Sequence, residues 1–284
     1  MPAPRWRQDH LKRFRWFVLW VGSVAMSVGA ASPSFAYEVL VFSKTAGFRH
    51  GNQITAGQQA ITQLGSSNGF TATFTEDAAA FTGPNLANYE AVVFLNTTGD
   101  VLSAAQQTTM ESYITAGGGF AGVHSATDTE YSWPWYGGLV GAYFANHPPG
   151  MSAAAIDVLD TTHLSTSHLE PRFTHTDEWY NFQTNPAGSV QVLLDLDETT
   201  YTGGSMGVSH PIAWYHSYSG GRSWYTGLGH NEAVYAEPWF RQHLLGGIQY
   251  AANVPEPAAP AVLAVSMAFL AVAGRRRARP SRSS

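Results

Sequence analysis

Short apolar runs recur at regular intervals in the first half of the chain. Four of them are compact and rich in branched or aromatic residues, as in strands that are buried in a parallel sheet. The predicted strands are residues 38–43, 69–75, 91–95 and 120–123.

Segments with helical spacing separate these strands. Apolar residues along one stripe, ending at Leu64, predict a helix that is capped by Asn52. Ser103 and Gln106 form a predicted capping box for a helix that runs to about residue 115. Alternating strands and helices predict an α/β fold with a doubly wound, mostly parallel sheet.

The second half of the chain has a less regular pattern. Residues 124–150 are aromatic and lack clear periodicity, so we expect a loop-rich insertion there. Pro238 opens a final amphipathic helix. We expect one domain over residues 37–254. Apolar segments that favour a mixed sheet lie near residues 153–159, 190–196, 212–215 and 222–226.

The N-terminus is predicted to be a targeting segment. Residues 1–36 combine a basic start, an apolar run and a small-residue exit at Ala36, which is typical of a secretory signal peptide. The apolar run is shorter than the ~20 residues that span a bilayer, so cleavage is favoured over a retained anchor. Signal peptidase would then leave Tyr37 as the first residue.

The C-terminal segment has three parts in a fixed order. A Pro-Glu-Pro motif at residues 255–257 precedes an apolar run, and an arginine cluster follows at residues 275–279. Residues 255–279 resemble a PEP-CTERM sorting signal, and residues 280–284 would be a short tail. The resemblance implies export across the inner membrane of a Gram-negative bacterium and processing of a transmembrane helix by an exosortase. The periplasm, the outer surface or the extracellular matrix is then the destination, and an ordinary tail anchor is the alternative.

Charge is unevenly distributed, which excludes a basic nucleic-acid-binding face. Between Tyr37 and Val254 lie five of the 15 Lys and Arg residues and 18 of the 20 Asp and Glu residues, so this segment carries a formal charge of −13. Binding of nucleic acid requires clustered basic residues.

The chain has no cysteine, which excludes disulfides, a thiolate nucleophile and a Cys-ligated zinc ion.

Candidate functional residues follow the predicted strands. In an open parallel sheet, ligands bind beyond the carboxyl ends of the strands. That edge is expected to hold Lys44, Arg49, His50, Asp100, His124 and Asp128. A solvated loop is the alternative for His50, and a helix-entry turn is the alternative for residues 97–100.

Six motifs extend this pattern across residues 37–252. They are residues 44–50, 117–128, 133–141, 177–181, 210–214 and 227–230. In this order they resemble the ThuA-like family, which is named for trehalose utilisation. The resemblance implies a class I glutamine amidotransferase-like fold, a flavodoxin-like three-layer sandwich.

The wider fold carries a catalytic cysteine at the turn after the fourth strand, where this chain has His124. We therefore expect no glutaminase activity, because imidazole is a poor substitute for a thiolate. Ser125 lacks glycines two residues before and after it, which argues against a serine nucleophile.

Acid/base chemistry on a carbohydrate, either a disaccharide or a keto-sugar, is the leading hypothesis. His124, His50, Asp128 and Glu178 would be the catalytic groups, because imidazole titrates near neutrality and carboxylates can act as its partners. Aromatic residues would stack on sugar faces. The expected substrate-binding residues are Lys44, Arg49, Asp100, Glu130, Trp133, Trp135, Asp177, Trp179, Tyr180 and His230.

A divalent metal site is the second hypothesis. Imidazoles are neutral ligands, to which Glu178 or Asp128 could add charge. The candidate ligands are His50, His124, His147, His216 and His230. The remaining histidines with expected structural or surface roles are His163, His168, His175 and His243.

Three functions therefore stay open from the sequence. They are a carbohydrate-active enzyme, a non-catalytic sugar-binding or matrix-associated module, and a metal-dependent hydrolase. A homo-oligomer is compatible with each of them, and no feature of the sequence decides its size.

Overall fold

Helices surround a central sheet in the computed structural model, which describes residues 36–254. The strands are β1 (Tyr37–Phe42), β2 (Phe70–Thr75), β3 (Ala91–Leu95), β4 (Gly119–Val123), β5 (Phe144–Asn146), β6 (Ser152–Val158), β7 (Arg172–Asp177), β8 (Asn181–Phe182), β9 (Gln191–Leu196), β10 (Pro211–Tyr218) and β11 (Gly221–Thr226). The α-helices are α1 (Gly51–Asn68), α2 (Gly83–Leu86), α3 (Ala104–Thr115), α4 (Pro134–Val140) and α5 (Pro238–Ala251).

Seven of the nine strands in the large sheet run in one direction. The strand order is β2-β1-β3-β4-β11-β10-β9-β6-β7, and neighbours from β2 to β11 pair in parallel. The other two strands, β10 and β6, run in the opposite direction, so all pairings from β11 to β7 are antiparallel. A separate two-stranded antiparallel sheet joins β5 and β8. The predicted α/β fold with a mostly parallel sheet is confirmed.

The large sheet lies between two layers of helices. On one face α5 packs so closely on β4 that a Cβ atom added to Gly119 would lie 2.0 Å from the carbonyl oxygen of Ala251. On the other face Ser223 of β11 donates a hydrogen bond to the carbonyl of Leu139 in α4 (2.5 Å). Every residue of β3 and β4 is buried, as expected for strands covered on both sides.

Two predicted helix starts can be compared with the structure. The side chain of Gln106 accepts a hydrogen bond from the backbone N–H of Ser103 (2.8 Å), so the predicted capping box is observed at α3. The prediction for Asn52 was wrong, because α1 already begins before that residue. His50 is its N-cap and uses its backbone carbonyl, which accepts the N–H of Ile54 (2.9 Å).

Residues 124–150 are more regular than their sequence pattern predicts. They contain a short 3₁₀ helix (His124–Thr127), α4 and β5. Pro134 lies in the first turn of α4, and Gly141 follows its last residue with a φ of 98°. These residues are typical start and stop signals for a helix, so the predicted loop-rich insertion also contains regular elements.

The predicted signal peptide and the predicted sorting signal lie outside the described residues. Between residues 36 and 254, no helix has the length and apolar character required to cross a membrane.

Two histidines are buried in the fold as neutral groups. Burial lowers the pKa of His243 to about 3 and that of His163 to about 4. His243 lies between the carbonyl of Ser165 (2.8 Å) and the hydroxyl of Thr226 (3.1 Å). Both side chains thus have the structural role that the sequence analysis expects.

The free energy of unfolding should therefore fall when the pH decreases below about 6.5. The unfolded chain then binds protons at His243 and His163, whereas the folded chain does not until their lower pKa values are reached. His243→Gln keeps a donor and an acceptor, and it should reduce the slope by up to about 1.4 kcal/mol per pH unit. Urea unfolding at pH 7.0, 5.5 and 4.5 measures this slope. The exposed His168→Gln is the matched control, and equal slopes for His243→Gln and the wild type would contradict the prediction.

Candidate functional site

Four side chains from four different elements meet above the sheet. His50 precedes α1, His124 follows β4, Glu178 follows β7, and His230 lies in the loop after β11. One ligand-type atom of each lies within 4.8 Å of the corresponding atoms of the other three. We refer to these four residues as the His/Glu centre.

The backbone of His124 is in the left-handed region, with a φ of 50°. Non-glycine residues adopt this conformation uncommonly, and at functional sites it is held by the surrounding structure. The imidazole is fully buried, and its Nδ1 hydrogen-bonds to the carbonyl oxygen of Gly227 (2.8 Å). Because a carbonyl can only accept, Nδ1 donates this hydrogen bond, and the Nε2 atom faces the centre.

A buried carboxylate positions His230. The two oxygens of Asp177 accept the backbone N–H groups of Gly229 (2.9 Å) and Asn231 (2.8 Å), on either side of His230. Burial alone would raise the pKa of Asp177, but the nearby imidazole of His175, with its Nε2 atom 3.6 Å from Oδ2, and these two amides lower it below its usual value. The Asp177 side chain is therefore ionised, and its carboxylate fixes the loop that carries His230.

The closest contacts of the centre form a triangle. Glu178 Oε2 lies 3.0 Å from His230 Nδ1 and 3.5 Å from His124 Nε2, and the two nitrogens are 3.3 Å apart. Burial opposes the charge on Glu178, but its contacts with His124 and His230 lower its pKa well below the usual value. The contact between His230 Nδ1 and Glu178 Oε2 raises the pKa of His230.

His50 completes the centre from the side of α1. Its ring centroid lies 5.0 Å from that of His124 and 5.2 Å from that of His230, and both pairs are edge-to-face. Its Nδ1 atom is 3.4 Å from the hydroxyl of Ser125. Burial, with a smaller contribution from the neighbouring imidazoles, lowers the pKa of His50 to about 3, so this ring is neutral at physiological pH.

The centre opens into a cavity of about 360 Å³, which is within the range of small-molecule pockets. The cavity is lined by Phe48, His50, Asp128, Phe144, His147, Glu178, Tyr180 and His230. His147 Nδ1 lies 3.2 Å from Glu178 Oε1. Asp128 accepts a hydrogen bond from the hydroxyl of Tyr131 (2.6 Å), and burial raises the pKa of its carboxyl group.

Several polar candidates from the sequence do not line this cavity. Lys44 donates to the carbonyl of Val101, and Arg49 forms a two-pronged ion pair with Glu76. Asp100 is exposed on the surface. Glu130 accepts the backbone N–H groups of Val101 (2.8 Å) and Leu102 (2.7 Å), at the entry to α3.

The tryptophan candidates and His216 also lie elsewhere. The indole of Trp133 donates to Glu111 and stacks on Trp135. Trp179 is fully buried, and its indole donates to the carbonyl of Ser152. His216 hydrogen-bonds to the carbonyl of Leu139 on the far side of α4. These residues make contacts within the fold and do not line the cavity, whereas Tyr180 is the aromatic candidate that does.

Phe48 and Phe144 line the cavity although the sequence analysis does not select them. Phe48 lies inside the motif at residues 44–50. Arg49 and His50 in the same motif are candidates because they are charged or titratable, whereas Phe48 is neither. Phe144 lies in the segment for which the sequence pattern predicts no regular structure. For Phe48, the available signal was its position two residues before His50 in the sequence. For Phe144, the sequence contained no signal.

A family model and solved structures identify the relatives of this chain. The family model described as ThuA, trehalose utilisation, matches residues 38–251. A ThuA-like protein from Bacteroides uniformis ATCC 8492 has a TM-score of 0.68 and 21% identity, over 78% of this chain and 93% of that one. A ThuA-like protein from Parabacteroides merdae ATCC 43184 has a TM-score of 0.62 and 20% identity, over 76% and 90%. At such identities, the two structures establish a shared fold.

A search of curated proteins found no match. The family model, by contrast, covers all of the large sheet except Tyr37, and all four residues of the His/Glu centre. The chain therefore belongs to the ThuA family.

Proposed function

We propose that this protein binds a carbohydrate in the cavity above the His/Glu centre and transforms it there. The observation that carries the proposal is the convergence of three imidazoles and one carboxylate at the base of a cavity with aromatic walls. The family description, trehalose utilisation, supports a disaccharide or a derived keto-sugar as the substrate class. The signals at the two ends of the sequence support export to the periplasm, the outer surface or the matrix.

The geometry of the centre also supports a bound divalent metal ion. In a tetrahedral site with ligands at 2.0–2.1 Å, neighbouring ligand atoms are about 3.3 Å apart. The three measured separations among His124, His230 and Glu178 are 3.0, 3.3 and 3.5 Å. Three imidazoles and one carboxylate are a donor set that suits zinc and other first-row ions.

A second feature of the centre fits a metal ligand set. Imidazoles that bind a metal usually donate their other N–H to a carbonyl or carboxylate, which fixes the tautomer. His124 has this arrangement, since its Nδ1 donates to Gly227 and its Nε2 faces the other donors. Such an ion, when bound, would supply a Lewis acid that polarises a hydroxyl or carbonyl oxygen of the sugar.

Asp128 is the group best placed to move a proton beside the centre. It lines the cavity, and Tyr131 holds one of its oxygens in place. Its carboxyl group can therefore accept a proton from a sugar hydroxyl or donate one to a leaving oxygen. His147, which contacts Glu178 from the opposite side and is partly exposed, closes the polar edge of the cavity.

The metal part of the proposal predicts one tight divalent site per chain. Isothermal titration of chelator-treated protein with Zn²⁺ should give one equivalent. Glu178→Gln and His230→Gln should each lower the affinity at least tenfold, because each replaces a carboxylate or imidazole ligand by a neutral amide, which binds divalent ions weakly. His216→Gln, a histidine outside the centre, is the matched control and should bind like the wild type. Lack of one-to-one binding by the wild type would reject the metal.

The carbohydrate part predicts separate effects on binding and turnover. Asp128→Asn should lower turnover of a disaccharide or keto-sugar by about 10²- to 10⁴-fold, which is typical for loss of a general acid or base. The dissociation constant of the Asp128→Asn variant for the sugar should change much less, since the amide keeps the shape of the carboxyl group. Calorimetry and product analysis measure the two quantities.

Two other outcomes would change the assignment. Sugar binding without turnover by the wild type would favour a non-catalytic binding module. Failure of the folded, metal-loaded protein to bind any disaccharide or keto-sugar would reject the carbohydrate proposal.

A further inference from the structure

Phe48 is an exposed aromatic side chain at the edge of the cavity. Its residue surface is 69% exposed, yet it lines the same cavity as the His/Glu centre. Single exposed apolar residues are common on proteins and need no explanation by themselves. Phe48 differs from the other exposed large hydrophobic residues of the described chain, because none of them lines this cavity.

The backbone around Phe48 is firmly held. Its carbonyl accepts a hydrogen bond from the hydroxyl of Thr98 (2.8 Å), and the N–H of Gly47 donates to the backbone carbonyl of Thr98 (3.3 Å). On the other side, Arg49 is bound to Glu76 by two hydrogen bonds of 3.0 and 2.7 Å. The exposed ring is therefore presented by a fixed loop, rather than by a loose one.

The Phe48 ring also has a defined orientation relative to the centre. It meets the imidazole of His50 edge-to-face, with the ring centroids 4.8 Å apart. Elsewhere in the cavity lining, Phe144 packs on Tyr180 at 4.3 Å, and Tyr180 packs on His124 at 4.4 Å. The lining thus combines aromatic surfaces with the polar groups of the centre.

We propose that Phe48 is a platform for the apolar face of a pyranose ring and makes the site selective for cyclic sugars. This inference rests on the carbohydrate function proposed above. A pyranose has C–H groups on its faces and hydroxyls around its rim. The electron-rich face of an aromatic ring attracts such C–H groups, while Asp128, His147 and Glu178 can bind hydroxyls.

An open-chain polyol has the same hydroxyls but no flat apolar face. Phe48 should therefore contribute to the binding of a pyranoside and contribute little to the binding of a polyol. The ring does not belong to the His/Glu centre, so its removal should leave metal binding unchanged.

The test compares Phe48→Ala and Phe48→Tyr with the wild type in the full-length protein. The ligands are trehalose, methyl α-D-glucopyranoside, D-glucitol and Zn²⁺, with dissociation constants from calorimetry or NMR titration. Phe48→Ala should weaken pyranoside binding about two- to twelvefold, the range of one aromatic contact. The affinities of Phe48→Ala for D-glucitol and Zn²⁺ should stay within a factor of two of the wild-type values. Phe48→Tyr should bind pyranosides like the wild type.

Three results would overturn the inference. Unchanged pyranoside affinity in Phe48→Ala would reject the platform and leave the carbohydrate function intact. An equal loss for pyranosides, D-glucitol and Zn²⁺ would show that Phe48 acts on the structure of the site and not on the sugar ring. A wild type that binds no pyranoside would reject this inference, and a wild type that also binds no keto-sugar would reject the proposed function as well.

Discussion

The buried carboxylate of Asp177 is the interaction on which the rest of the site depends. Glu178 follows β7 at one edge of the sheet, whereas His230 follows β11, and three strands lie between β7 and β11 in the sheet. Asp177 bridges these elements, because it ends β7 and accepts the amides of Gly229 and Asn231. One ionised group thus brings an edge-strand residue to the carboxyl ends of the parallel strands.

The backbone of His124 shows how the fold accommodates a different side chain at its sharp turn. In a parallel sheet, a residue at this turn projects above the strand ends, where a reactive group is useful. The left-handed conformation at His124 is unfavourable for a histidine, and the hydrogen bond to Gly227 and complete burial hold it there. The ring is therefore already oriented toward His230 and Glu178 before any ligand arrives.

Topology explains which site residues could be predicted from the sequence. His50 follows β1 and His124 follows β4, two parallel strands from the first half of the chain with only β3 between them, so their meeting follows from the strand pattern. Glu178 and His230 were accessible only through motif resemblance, because the antiparallel strands that separate them have weak patterns. The burial of Trp179 and the pairing of Trp133 with Glu111 depend on tertiary contacts, which spacing does not reveal. For the same reason, the cavity-facing position of Phe48 became visible only in the structure.

The position of β11 determines when the site can exist during folding. This strand lies in the middle of the sheet, between β4 and β10, although it is the last strand along residues 36–254. Its pairing with β4 joins residues about 100 positions apart, a type of long-range contact that forms slowly. His230 follows β11 directly, so a folding intermediate without this strand has three dispersed side chains in place of a centre. The binding of any ligand that needs all four groups is consequently a report that the entire domain has folded.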